Sequence, residues 1–218
     1  KTKKYFKTDD LKKCSRFWII LFKTILSKLY HWKIYVVGSV EYQYPNHLFQ
    51  AGYFLDKKYY DENTIDFKHL LLSEKNQSLL KDIQNSNSVG VHIRRGDYMT
   101  KQNLVIFGNI CTQKYYHDAI RIITEKVNDA VFYVFSDDIS WVQTHLDIPN
   151  AVYVNWNTGE SSIYDMYLMS SCKYNIIANS TFSYWAARLN KKTNMVIYPS
   201  KWYNTFTPDI FPESWCGI

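Results

Sequence analysis

The sequence predicts an α/β protein built on an open parallel sheet, and three observations carry that prediction. Five short apolar runs read as buried strands: 89–93, "VFYVFS" (131–136), "VYVN" (152–155), "NIIAN" (175–179) and "MVIYP" (195–199). Helix-like stretches lie between them, at about 113–127, 139–146, 160–171 and 182–190. Strand and helix taken in turn this often give a parallel sheet with helices on both faces. Finally, polar residues cluster where the first, second and fourth runs end, and such sheets bind ligands outside the carboxyl ends of their strands.

From the start of the chain, residues 1–35 hold ten Lys/Arg against two Asp. "TDDLKKCSRFWIILFKTILSKLY" (8–30) reads as a helix opened by a Thr/Asp signal. Phe17, Ile20, Leu21, Ile25 and Leu29 share one face, with lysines mostly opposite. Either that face packs on a core, or the helix rests on an anionic membrane. The apolar run 17–22 is too short to span a bilayer. Residues 34–87 mix apolar stretches such as "IYVVGSVEY" and "FKHLLL" with loops and read as the remnant of an N-terminal domain. The polar cluster "QNSNS" (84–88) marks the boundary, giving units 1–87 and 88–218.

Composition excludes several classes. A hydrophobic share of 46% supports a proper core, and 7 Gly and 5 Pro without repeats leave no case for a disordered or solenoid chain. Beyond residue 35 the chain carries 16 basic and 18 acidic side chains, unlike a nucleic-acid binder. Cys14, Cys111, Cys172 and Cys216 are scattered without metal-ligand spacing, so no zinc site is expected and the thiols read as reduced, in a cytosolic protein. The N-x-[ST] matches at Asn76 and Asn179 carry no weight without a signal peptide. The chain opens on Lys1 rather than Met, so a natural start further upstream is expected.

The first run, "VGVHIRRGDY" (89–98), ends in His92, Arg94, Arg95 and Asp97. A guanidinium forks onto a phosphate with permanent charge, and two together could neutralise a pyrophosphate without a metal. A surface salt-bridge cluster is the plainer reading, and adhesion through the RGD triplet is disfavoured beside a buried strand. The second run ends in Ser136, Asp137 and Asp138, candidates for metal ligands, a helix cap or a guanine reader. One reader and one cap suit two adjacent residues best. The fourth ends in Asn179, Ser180, Thr181, Phe182 and Ser183 at a helix start, where hydroxyls and free N–H groups favour anions, or where Ser simply caps the helix. Together these ends suit a nucleoside diphosphate bearing a sugar.

"HIRRGDY" (92–98), "FSDD" (135–138) and "NSTFSYWAARL" (179–189) resemble, in order and spacing, three motifs of the family 11 glycosyltransferases, the alpha-1,2-fucosyltransferases. "AGYFLDKKYYDE" (51–62) with "DFKHL" (66–70) is similar to the segment preceding those motifs, and the resemblance covers roughly 45–200. It implies inverting, metal-independent transfer of fucose from GDP-fucose to the 2-hydroxyl of a galactose-terminated glycan, with no cofactor. It also implies a two-lobed GT-B-like fold, with the donor in a C-terminal Rossmann-type lobe. Arg94 would contact the diphosphate while Arg95 and Asp97 shape its loop, these three forming the catalytic set. His92 and Asp137 would lie near the guanine, Ser180, Thr181, Phe182 and Ser183 would cradle phosphate, and Ser136 and Asn179 complete the substrate-binding set. The chain departs from the family in having no "GGLGNQ"-like turn in residues 1–40, and in carrying Tyr184 where relatives have Trp. A cytoplasmic enzyme held at the inner membrane by residues 1–35 follows. The rival readings are a non-catalytic GDP-sugar-binding module, a fucosyltransferase of different linkage, and a membrane-attached interaction protein.

Overall fold

A computed structural model describes residues 66–218, together with the backbone of three short strands before them: β1 (Phe6–Lys7), β2 (Tyr35–Val37) and β3 (Phe49–Ala51). β2 and β3 pair in parallel, and β1 pairs antiparallel with β4 (Asp66–Phe67). The basic helix expected over 8–30, and nearly all of the expected N-terminal unit, lie outside the described residues. Among the described residues no helix is long and apolar enough to cross a membrane.

The rest alternates as the apolar runs require. α1 (Glu74–Asn85) leads into β5 (Asn87–Ile93), a short 3-10 turn (Gly96–Met99), α2 (Lys101–Phe107) and α3 (Gln113–Thr124). Then come β6 (Ala130–Ser136), α4 (Ile139–His145), β7 (Ala151–Val154), α5 (Ser162–Ser170), β8 (Tyr174–Ile176), α6 (Thr181–Arg188), β9 (Met195–Tyr198) and β10 (Cys216–Gly217). Hydroxyl or carboxylate caps start the helices: Ser73, Thr100, Thr112, Asp138 and Ser180 each accept an N–H from the first turn of α1, α2, α3, α4 and α6 in turn.

Six strands form one all-parallel sheet in the order β10-β9-β8-β5-β6-β7. The chain builds outward from β5 through β6 to β7, then returns to the other side of β5 and builds through β8 to β10. That is the order of a doubly wound sheet, and its direction reverses between β5 and β8. The expected α/β class with a Rossmann-type parallel sheet is thus what the chain adopts.

Alternation along β5 separates the two cores. Val89, Val91 and Ile93 pack with Ala119 and Ile123 of α3 and Val142 of α4. Tyr133, Phe135, Ile177 and Val196 on the opposite face meet Leu79 and Ile83 of α1, Leu168 and Met169 of α5, and Ala186 and Ala187 of α6. Gly90 sits where a Cβ would lie 2.8 Å from Asn175 Nδ2 and 3.0 Å from Met169 Cγ. Only a glycine lets α5 and β8 approach β5 this closely.

The segment 84–88, expected as a unit boundary, spans the end of α1, Ser86 and the start of β5, and Leu79 and Ile83 of α1 pack in one of the two cores of the sheet. Tyr184, standing in place of Trp, is buried and donates its hydroxyl to Ile210 O at 2.9 Å, tying the aromatic C-terminal segment to α6. Cys111, Cys172 and Cys216 are free thiols, as expected for three of the four cysteines; Cys14 lies outside the described residues.

Candidate functional site

At the carboxyl ends of β5, β6 and β7, beside the reversal point, lies a cleft of about 980 Å³. Its floor and walls bring together His92, Arg94 and Asp97 from the end of β5 and the turn after it, Ser136 and Asp137 from the end of β6, and Ser180, Thr181 and Phe182 at the start of α6. Eight of the eleven candidate residues therefore converge on one cavity.

Asp137 holds the turn after β5. Its Oδ1 accepts the backbone N–H of Arg95 at 2.9 Å, and its Oδ2 pairs with Arg94 Nη1 at 2.7 Å. Arg94 Nη2 reaches Asp97 Oδ1 at 2.5 Å. A Cβ on Gly96 would lie 2.5 Å from Asp137 Oδ2, so any other residue there must push the Asp137 carboxylate out of its place. Asp137, expected as a base reader, thus has both oxygens committed to the arginine turn. Asp138 is the expected cap, accepting Trp141 N at 3.1 Å.

The two arginines part company. Arg94 stays in the cleft, with a third of its side chain exposed. Arg95 turns away, its Nε 3.2 Å from Asp138 Oδ2 and its guanidinium 3.6 Å over the Trp141 ring. Adjacent residues on an extended strand end point to opposite sides, so only one can reach a ligand. Two guanidiniums then face three carboxylates, leaving the turn with a net charge of about −1.

Asn179 and Ser183 also lie outside the cleft. Asn179 Nδ2 donates to Phe107 O (3.2 Å) and Trp202 O (3.0 Å), fastening two loops, and Ser183 Oγ is buried against Ala178 and Ser180. Buried at 1% and 2% exposure, the Asn76 and Asn179 sequons are inaccessible in the folded chain. His92 is 5% exposed, and its ring packs 5.0 Å from Phe182 with Nδ1 sealed and unpartnered. Burial first, then the neighbouring Arg94 charge, lowers its pKa to about 3. The imidazole is neutral in any ordinary buffer.

The structure adds residues that the sequence reading passed over. Tyr98, stacked on Phe107 at 4.6 Å, donates its hydroxyl to Asn179 O at 3.0 Å, and burial raises its pKa to about 12. With Phe107, Trp202 and Tyr203 it makes an aromatic wall. The loop after β7 contributes Asn155, Asn157, Thr158 and Gly159, and α5 contributes Asp165. Burial raises the Asp165 carboxyl to about 7, opposed by a hydrogen bond from Asn157. The signal for that loop is its position after the third predicted strand, since ligands bind outside the carboxyl ends of parallel strands.

A model of glycosyl transferase family 11 matches residues 12–218. An alpha-1,2-colitosyltransferase of Escherichia coli is 35% identical over 196 residues, 83% of this chain and 63% of its own. The O-antigen biosynthesis glycosyltransferase WbnK of Escherichia coli is 44% identical over 122 residues, 55% of this chain and 40% of its own. The galactoside alpha-(1,2)-fucosyltransferase 2 of Pongo pygmaeus is 28% identical over 163 residues, 69% of this chain and 48% of its own. The chain thus spans less than two thirds of the length of these relatives. Among solved structures, NodZ alpha-1,6-fucosyltransferase soaked with GDP-fucose aligns at a TM-score of 0.41 and 16% identity, covering 81% of this chain and 60% of that one.

Proposed function

The chain belongs to glycosyl transferase family 11, and from that premise we propose that it binds GDP-fucose in the cleft and transfers L-fucose, with inversion and without a metal, to the 2-hydroxyl of a galactose in a glycan. One observation carries the reading: Arg94 is held in the same cleft as the N-terminus of α6, at the reversal point of a doubly wound sheet. The alpha-(1,2)-fucosyltransferase and alpha-1,2-colitosyltransferase names among the relatives support the linkage.

The leaving group of such a transfer is a nucleoside diphosphate, whose negative charge grows as the glycosidic bond breaks. A preorganised guanidinium and first-turn N–H groups can stabilise that charge. Because the arginine turn is already net negative, a diphosphate binds Arg94 best when one carboxylate gives way. Asp97, with 56% of its side chain exposed, is the freer partner, whereas Asp137 is also fixed to Arg95 N. Arg95 supports the turn from behind. His92, its pKa lowered to about 3 by burial, is a weak base and is not assigned the acceptor's proton.

The base-reading role moves from Asp137 to Asp165. Asp165 keeps Oδ2 available on the cleft wall, while both Asp137 oxygens are engaged. An ionised carboxylate accepts the adjacent N1–H and exocyclic N–H of guanine, which adenine cannot offer together.

Incubation with GDP-fucose and a galactoside, with and without EDTA, and NMR of the product tests the whole reading. An alpha-1,2-fucosyl product formed in EDTA supports it, and dependence on added magnesium or manganese overturns the metal-free mechanism. The likeness to an alpha-1,2-colitosyltransferase favours a second donor, so the same assay is run with a colitosyl donor.

A further inference from the structure

Behind the cleft, a line of side chains runs from α1 to Asp165, and each link can be satisfied in only one sense. The Trp156 indole Nε1–H can only donate, and it donates to Asn76 Oδ1 at 2.7 Å. That fixes which end of the Asn76 amide is oxygen. Asn76 and Asn157 then face each other amide to amide. Asn76 Nδ2 donates to Asn157 Oδ1 at 3.0 Å, and Asn157 Nδ2 donates to Asn76 Oδ1 at 3.1 Å. With Asn157 so oriented, its amide also donates to Asp165 Oδ1 at 2.7 Å. Asp165 Oδ1 is therefore an acceptor in either protonation state, and any proton on the carboxyl sits on Oδ2. Asn76 is 1% exposed, and Lys75 Nζ lies 3.7 Å from the Trp156 ring centroid.

We propose that Trp156, Asn76 and Asn157 are positioning residues that fix the hydrogen-bond polarity of Asp165, so that its Oδ2 accepts the N–H edge of a purine diphosphate. The proposal rests on Asp165 being the base reader. The purpose of a buried Asn on an otherwise apolar stripe of α1, where Leu79 and Ile83 continue the same face, is then clear. A Leu at 76 would pack, but it would leave the indole N–H and Asn157 Oδ1 without the partners they have here.

The charged surroundings leave the relay as the local control. His92 on β5 is neutral, and Arg94, Asp97 and Asp137 on the following turns pair among themselves. On α1, Glu74, Lys75, Lys81 and Asp82 are exposed; Glu160 before α5 is exposed, and Arg188 ends α6. Tyr98 and Tyr203 line the far wall.

The test is calorimetric titration of GDP from about pH 6 to pH 8.5 on the full chain, its Trp156→Phe variant and its Asp165→Asn variant. Asp165→Asn supplies the baseline of the diphosphate's own titration. Relative to it, wild-type affinity should fall by about tenfold per pH unit below the Asp165 midpoint. Trp156→Phe frees the amides to turn over and weakens the bond that lowers the Asp165 pKa. Its midpoint should therefore rise, cutting affinity several-fold near neutrality while leaving it within about twofold at pH 8.5. A loss that is equal at every pH would mean a merely structural tie and would overturn the relay. If Asp165→Asn binds GDP as wild type does throughout, the base-reading assignment itself falls, a different failure. Should Trp156→Phe melt early, Asn157→Ala removes the last donor and must give the same upward shift, or the proposal is wrong.

Discussion

Arg94 and Arg95 are adjacent in sequence and opposite in use, which makes them a matched pair for experiment. Arg94→Lys keeps the charge but loses the fork that pairs Asp137 and Asp97 through separate nitrogens. Turnover in kcat/KM should drop roughly 10²–10³-fold, as when one preorganised donor to a developing anion is lost, with the thermal midpoint little changed. Arg95→Met should do the reverse, lowering the midpoint through the lost Asp138 pair and Trp141 stack while sparing most of kcat. Equal activity losses in the two variants would erase the distinction. Asp165 gives a stability prediction with a definite sign. Its carboxyl is raised to about 7 by burial, so the protonated form is favoured in the folded chain. Its contribution is fully present below the unfolded carboxyl pKa and is lost as pH rises through about 7. Asp165→Asn should therefore raise the thermal midpoint more at pH 8 than at pH 5, while weakening GDP. A midpoint gain that does not grow with pH would show that the buried carboxylate carries no such cost.

Among the elements, β5 sets the tightest steric demand. Gly90→Ala places a methyl against Asn175 and Met169, and should cost about 1–3 kcal/mol as overpacking in urea denaturation. A cost below a few tenths would show that α5 can retreat. Five of the six strands of the sheet and four of its helices could be read from the sequence because buried parallel strands are short unbroken apolar runs and their helices carry clear stripes; the two-residue β10 is too short to show such a run. α1 was not legible, since its buried stripe is Asn76, Leu79 and Ile83 within an otherwise polar sequence. α2 was missed for the opposite reason: Val105 and Ile106 are apolar yet exposed, at 74% and 44%, so no periodic face marks it. Strand ends were legible in position but not in direction. Sequence could place Arg94, Arg95, Asn179 and Ser183 at the site, whereas which of them turn inward depends on pleat, caps and loop contacts. The β7–α5 loop carries no charged motif, and its role comes from the fold rule that every strand of the sheet ends at the same side.

At the scale of the whole molecule, a doubly wound sheet confines ligand chemistry to one edge, so binding and stability should be coupled strongly through the described unit. A ligand that binds the folded state alone stabilises it by RT ln(1 + [L]/Kd), about 2.7 kcal/mol at a hundredfold excess over Kd. For a chain of this size each kcal/mol moves the midpoint by about 2–4 °C, so GDP at that excess should raise it by roughly 5–10 °C. ADP places the same diphosphate on Arg94 and α6 but offers Asp165 no matching N–H pair. UDP shares the diphosphate but lacks a purine. Both should give a smaller shift at equal concentration, and the difference between GDP and ADP should vanish in Asp165→Asn. Because the anion is met by a guanidinium and helix N–H groups, the GDP shift should survive EDTA unchanged and shrink as salt screens the charges. A shift that appears only with a divalent ion, or is equal for all three nucleotides, would place the recognition elsewhere than in Arg94 and Asp165.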